Sequence, residues 1–244
     1  MRVVLADLHI HTCLSPCATL DMTPKKIVSQ ARKRGLDMIA VTDHNSAENT
    51  GSVIEAARQT DLCVISGIEV TTSEEAHIIG LFEDPKDAVS MQDLIYEYLQ
   101  QGENDEDLFG MQVIANEFDE VEGMNRRLLI GATRLGLSQV VKAIHDRRGL
   151  AIAAHIDREA FSVISQLGFI PEDLDLDAVE ISRRVTLEKG RDLFPDLGRF
   201  PFITSSDAHD LQDVGASPTG FRMAGPEVAE LRLALKGMAG RRIV

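Results

Sequence analysis

The chain has 244 residues, 39 of them acidic and 25 basic, for a formal charge of −14 with neutral histidine. This length suits one barrel-sized domain with a sizeable core. The acidic balance excludes the broad basic footprint of a duplex-DNA binder, and leaves small phosphate esters and short oligonucleotide ends, held by metal ions, as anionic partners.

Cys13, Cys17 and Cys63 form no disulfide framework. No apolar run is long enough to span a membrane, and the first residues read as a strand rather than a signal peptide. The expected location is cytoplasmic, with no membrane partner.

The apolar run at residues 3–11 carries Asp7, His9 and His11 at alternate positions. In an extended strand these share one face. Two imidazoles beside a carboxylate make an incipient metal site; a strand with a few polar outward positions explains the triplet alone equally well. Thr23, Pro24 and Gly35 then mark the cap, first turn and stop of a helix. A strand near 37–42 leads to His44, a helix covers about 49–59, and a strand near 62–67 leads to Glu69. Another strand, near 77–82, has His77 at its front.

The interval 83–149 breaks this rhythm. Helical segments are expected near 90–101, 109–121 and 138–148, with an acidic connector at 102–107. The interval reads as a helical insertion over or beside the site, with helices covering the barrel wall as the equal alternative. His145 lies here as a surface or packing histidine. Strands resume near 150–155, ending at His155, then near 177–181, and near 201–205 ahead of Asp207 and His209. Residues 215–220 read as a loop near the barrel mouth, and 226–237 as a closing helix with Val228, Leu231 and Leu235 inward.

That makes seven candidate strands, with short helical connections that imply a parallel sheet. Six of the seven histidines open, end or follow such strands. In parallel barrels, sites assemble at the C-terminal strand ends, so distant segments are expected to build one site.

These residues stand in ordered motifs: Asp7-Leu8-His9-Ile10-His11-Thr12, Thr42-Asp43-His44-Asn45, Gly67-Ile68-Glu69, His77-Ile78-Ile79-Gly80-Leu81, His155 and Ser206-Asp207-Ala208-His209. Together they resemble the motifs of the PHP (polymerase and histidinol phosphatase) family, across 3–82 and 150–215. The resemblance implies an α/β fold, a distorted seven-stranded (β/α)7 barrel with a helical insertion, and here a single domain over 1–244 with 83–149 inserted. It also implies two or three divalent metals and cleavage of phosphate esters. His9, His11, Glu69 and Asp207 would bind one metal; Glu69 would bridge to a second held by His77 and His155; His44 and His209 would serve a third.

Such donors suit manganese, iron or zinc. Paired metals of this kind activate a hydroxide and neutralise phosphate oxygens during in-line attack. Asp7 and Asp43 are expected to orient ligating histidines rather than bind metal directly. One departure concerns the third site: relatives carry Ser-Asp-Gly or a histidine after the first motif, whereas this chain has Leu14-Ser15-Pro16-Cys17. Cys17 as a thiolate, Asp21 swinging in, a water, or a weak third site would each answer it, and a buried inert Cys17 is an equal alternative.

Phosphate recognition needs fixed positive charge. Arg158, Arg183 and Arg184 follow strands whose ends share the metal face, and arginine forks grip phosphate oxygens; solvated surface arginines are the bland alternative. Few aromatics lie near the motifs, so no base-stacking platform is expected. The resulting expectation is a metal-dependent phosphoesterase acting on a small phosphorylated metabolite or nucleotide. A phosphodiesterase acting on oligonucleotide ends comes second, and a non-catalytic metal-binding regulatory or scaffold protein third.

Overall fold

All seven apolar runs form strands in the computed structural model, which describes residues 1–244. In chain order the elements are β1 (Arg2–Ile10), α1 (Pro24–Lys33), β2 (Met38–Val41), α2 (Thr50–Ala57), β3 (Cys63–Thr71) and β4 (His77–Phe82). There follow α3 (Pro85–Tyr98), α4 (Glu106–Phe109), β5 (Val113–Ala115), β6 (Val121–Met124), α5 (Leu137–Asp146), β7 (Leu150–Ala153) and α6 (Val163–Leu167). The chain ends with β8 (Ala178–Ile181), α7 (Leu187–Leu193), β9 (Phe202–Thr204), β10 (Thr219–Met223), α8 (Val228–Leu235) and β11 (Arg242–Ile243). No helix is long and apolar enough to cross a membrane.

The main sheet has nine strands where seven are expected, in the order β11-β10-β1-β2-β3-β4-β7-β8-β9. The two extra strands pair antiparallel along the free edge of β1; β10 begins at Thr219, inside the turn-rich stretch read as loop. Beyond β9 the chain returns to β1, where His11 N donates to Ala208 O and Ala208 N to His9 O. The sheet is thereby nearly closed into a barrel.

It is not wholly parallel. β4 runs antiparallel to both β3 and β7, because the connection at 72–76 is hairpin-sized and too short for a crossover. This reversal puts the start of β4, and so His77, at the end of the barrel where its parallel neighbours finish. Gly67 lets β2 and β3 approach closely just before the site: a Cβ there would meet Thr42 Cγ2 at 2.7 Å and Val41 O at 2.9 Å.

Strand residues are buried on both faces, which is why the runs are continuously apolar rather than alternating. Val4, Ala6, Leu8, Ile79, Ile152 and Ile203 fill one cluster together with Val228, Leu231 and Leu235 of α8, inward as expected. Amphipathic α1 buries Ile27, Val28 and Ala31 against a second cluster.

Within 83–149, α3 packs on β3 and β4, and α5 on β4 and β7. Between them the expected helix at 109–121 is absent. Gly110, at φ +98°, ends α4, and β5 and β6 form an antiparallel ribbon. Asn116 Oδ1 accepts from Phe118 N and Glu120 N, a turn-forming bond that competes with helix. The ribbon is tied to the segment after His11 by Val113 N donating to Cys13 O. Asn49 bridges to it through Val113 O at 3.0 Å and Ala115 N at 3.0 Å. Asn45 Nδ2 fixes the following stretch through Leu129 O and Gly131 O, at 2.9 and 2.8 Å.

His145 is a packing residue on α5, its Nε2 2.9 Å from Asp177 Oδ2, which also accepts Ala151 N. The hydrogen bond and charge of Asp177 raise its pKa above the ordinary value, against a smaller opposing effect of burial. A raised native pKa stabilises the fold below the unfolded value of about 6.5, and this contribution fades as pH climbs through the native value. The stability gap between wild type and His145→Gln in urea is therefore expected to be widest in mild acid and to narrow in alkali. A gap independent of pH would assign His145 to packing alone.

Candidate metal centre

The expected ligands converge at one end of the barrel. His9 and His11 come from the end of β1, His44 follows β2, Glu69 lies late in β3, His77 opens β4, His155 follows β7, and Asp207 and His209 follow β9. All are buried except His209, which is half-buried. His155 (φ +29°) and Asp207 (φ +48°) adopt left-handed backbone, a strain that persists only where surroundings hold it.

The hydrogen-bond network assigns protons to the first two imidazoles. His9 Nδ1 lies 3.1 and 3.2 Å from the oxygens of Glu180, an acceptor, so Nδ1 donates and the neutral ring presents its lone pair at Nε2. Ser15 Oγ gives its proton to Asp43 Oδ1 at 2.6 Å, so His11 Nδ1, 2.9 Å away, donates to Ser15 Oγ. That leaves the lone pair of the neutral His11 ring at Nε2 as well. The two Nε2 atoms face each other at 3.1 Å. Asp207 Oδ1 lies 3.3 and 3.2 Å from them, and the Glu69 oxygens 3.3 Å from each.

Lone pairs and carboxylates so placed repel unless a proton or a metal ion lies among them. The spacing is close to the edge, about 3.3 Å, of a tetrahedron of ligands around a first-row divalent ion. The donor set fits such a metal.

Glu69 is the hub. Beyond His9 and His11, its Oε1 lies 2.9 Å from His77 Nδ1 and 3.3 Å from His155 Nε2. Its Oε2 approaches His44 Nδ1 to 2.9 Å without hydrogen-bond alignment, and both those atoms are buried and unpartnered. Burial opposes ionisation of Glu69 and Asp207, yet the surrounding imidazoles hold both carboxyls well below the ordinary range. Burial drives His77 the other way, down to about 4.

A third group, His11, His44 and His209, brings its ligand atoms within 4.8 Å of one another. Cys17 is exposed at its mouth. Partial burial resists the thiolate there, but the facing His44 and His209 pull the thiol down to about 5. The buried, inert cysteine is Cys13, pushed up to about 12. Asp21 is paired with Lys26 on the exposed side of the loop, not turned into the site.

Neither aspartate is bonded directly to a histidine ring. Asp7 orients no histidine; it accepts Ser206 N at 2.9 Å and Gly215 N at 2.8 Å, fixing the loop that bears Asp207. Asp43 reaches His11 only through Ser15, and also accepts Thr12 N and Oγ1, each at 2.7 Å. The carboxylate that orients His9 is Glu180, which also accepts His155 N at 3.1 Å. A lone carboxylate in the apolar run of a buried strand was its signal.

Glu180→Gln preserves shape but removes the anionic acceptor that fixes the His9 tautomer. Metal affinity is expected to fall about 10- to 100-fold, read by chelator competition, with the circular dichroism spectrum unchanged. Unaltered affinity would reduce Glu180 to a structural anchor.

Of the three arginines, Arg158 pairs with Asp207 and Arg183 with Asp213, while Arg184 is exposed beside the site. A cavity of about 180 Å³ opens onto His44, Glu69, His77, His155 and Asp207, with Arg158 and Ile130 on its walls. Ile130 brings part of the 83–149 segment to the site.

The sequence matches the family described as PHP domain over residues 7–168. An uncharacterized protein of Methanocaldococcus jannaschii is 33% identical over 107 residues, which cover 40% of this chain and 62% of that protein. The 3',5'-nucleoside bisphosphate phosphatase of Chromobacterium violaceum is 32% identical over 82 residues, 32% of this chain and 28% of the phosphatase. Among solved structures, the lesion-specific endonuclease EndoQ of Pyrococcus furiosus aligns with a TM-score of 0.77 at 19% identity, over 99% of this chain and 58% of that one. This last likeness concerns the fold, and the chain spans less than two thirds of each of these three proteins.

Proposed function

The chain belongs to the PHP domain family, and from that premise we propose that it is a metal-dependent phosphoesterase acting on a small phosphorylated metabolite or nucleotide. The carrying observation is the pair of imidazole Nε2 atoms, 3.1 Å apart, enclosed by two buried carboxylates. In this reading His9, His11, Glu69 and Asp207 hold one divalent ion, and Glu69 with His77 and His155 holds a second. His44 and His209, with Cys17 in the place of the missing carboxylate, would hold a third. Manganese, iron or zinc suits these donors.

When bound, such ions supply charge for the phosphoryl oxygens and a nucleophile usable at neutral pH. The residues do the rest. Glu180 and the Asp43–Ser15 pair keep His9 and His11 in the tautomers that present Nε2. Arg158, with its buried Nε unpartnered, is placed to grip a phosphate oxygen at the cavity wall. The cavity, about 180 Å³, suits a phosphoryl group rather than a bulky polymer. Residues 1–244 act as one barrel domain, with 83–149 as an insertion that walls the site.

Hydrolysis at the end of a short oligonucleotide is the second reading. It is favoured by a groove of about 490 Å³ beside the cavity, where Arg158 and Arg184 stand together with Asp157 and Glu159. A panel of sugar phosphates, nucleoside mono- and bisphosphates, cyclic nucleotides and short oligonucleotides separates the two. Faster phosphate release from a small monoester is expected, whereas preference for the oligonucleotides would install the second reading.

A further inference from the structure

Phe161 lies six residues after His155, outside every motif. The residue is 44% exposed, and its ring lies nearly parallel to the His77 imidazole, with centroids 4.9 Å apart and planes inclined by 18°. The imidazole thus covers one ring face, while the residue keeps contact with solvent. The backbone there has φ +59°, a conformation costly for a bulky side chain and free for glycine. The loop is pinned from both sides. Phe161 O accepts from His77 N, while Ser162 Oγ donates to Arg158 O at 2.8 Å and accepts from Ser165 N at 3.0 Å to cap α6. A strained aromatic that gains so little from burial has a use outside the core.

Its position defines that use. The cavity of about 180 Å³ over the ligand cluster and the groove of about 490 Å³ beside it share two lining residues, Arg158 and Phe161. Arg158 presents a cation and Phe161 a flat apolar face at the boundary. Arg184, exposed, also lines the groove. A molecule with its phosphate in the cavity therefore passes its next planar group across the Phe161 ring.

We propose that Phe161 is the specificity-determining residue for a nucleotide substrate, stacking the nucleobase while the scissile phosphate lies over the metal ligands. The proposal rests on the phosphoesterase reading and narrows its substrate to nucleotides. It also reverses the expectation that no stacking platform stands near the motifs.

Ribose 5-phosphate has an anomeric hydroxyl where adenosine 5'-monophosphate carries the base, so comparing their affinities tests the base. Calorimetric titration of the manganese-loaded protein is expected to favour the nucleotide at least about fivefold, the lower end of stacking on an aromatic side chain. The preference should fall to near one in Phe161→Ala and Phe161→Leu and survive in Phe161→Tyr. Leucine retains apolar bulk over His77, so a residue that only shielded that imidazole would keep the preference in Phe161→Leu.

A wild-type ratio near one, failure of either compound to bind, or an unchanged ratio in Phe161→Ala or Phe161→Leu would overturn the proposal. Failure of the underlying reading would show separately, as absence of phosphate release from every ester tested.

Discussion

Glu69→Gln is expected to lower turnover by a factor on the order of 10³ or more, the loss of several kcal/mol of metal-derived stabilisation. Five imidazoles, those of His9, His11, His44, His77 and His155, lie within 3.3 Å of its two oxygens. Glutamine keeps the shape, but it removes the negative charge and turns one acceptor into an NH₂ group facing ring nitrogens. No nearby carboxylate substitutes at the junction, since Asp207 reaches only the His9, His11 and His209 side. The backbone bonds at this position, Glu69 N to Asp43 O and Asn45 N to Glu69 O, do not depend on the side chain, so the fold should survive. Metal content measured by mass spectrometry should fall together with activity. Full activity with undiminished metal would remove Glu69 from the centre.

The second large effect is on stability. Stripping divalent ions should lower the melting temperature, and reloading at about 1,000 times Kd should restore about 4 kcal/mol. For a chain of this size that corresponds to a shift of about 8–16 °C. The shift should shrink as pH falls, and the sign follows from His9. Burial opposes its charging, but Glu180, Asp207 and Glu69 raise its pKa well above the ordinary value. Protons therefore compete with metal for its ring more strongly at lower pH. Scanning fluorimetry with and without chelator across pH checks both statements; identical melting curves at every pH would mean that no ion is bound in the native state.

The centre was legible because its signals are local. Histidines at alternate positions of β1, or at the end of a short apolar run, announce themselves by spacing and place within one segment. What remained hidden depends on partners far along the chain. Asp7 meets Ser206 and Gly215, and nothing in residues 3–11 distinguishes that bond from one to a histidine. Glu180 was visible as a charge in an apolar strand, but its link to His9 exists only once β1 and β8 curve around the same barrel end. The reversed direction of β4 followed from the brief connection at 72–76, a cue outweighed by the parallel rhythm around it. Strand β10 begins within a Gly- and Pro-rich stretch and is fixed by pairing with β1, a contact across most of the sequence. Stacking of Phe161 on His77 needs a left-handed backbone that no propensity favours for phenylalanine.

The most direct test of the central claim is phosphate release by metal-stripped protein reloaded with manganese, iron or zinc, with His9→Ala as the control. No release is expected from the stripped protein, release from at least one class of phosphate ester after reloading, and none from the variant. Bound ions without turnover on any ester would contradict it, and would leave a barrel that uses its histidines to bind metal for structure or regulation.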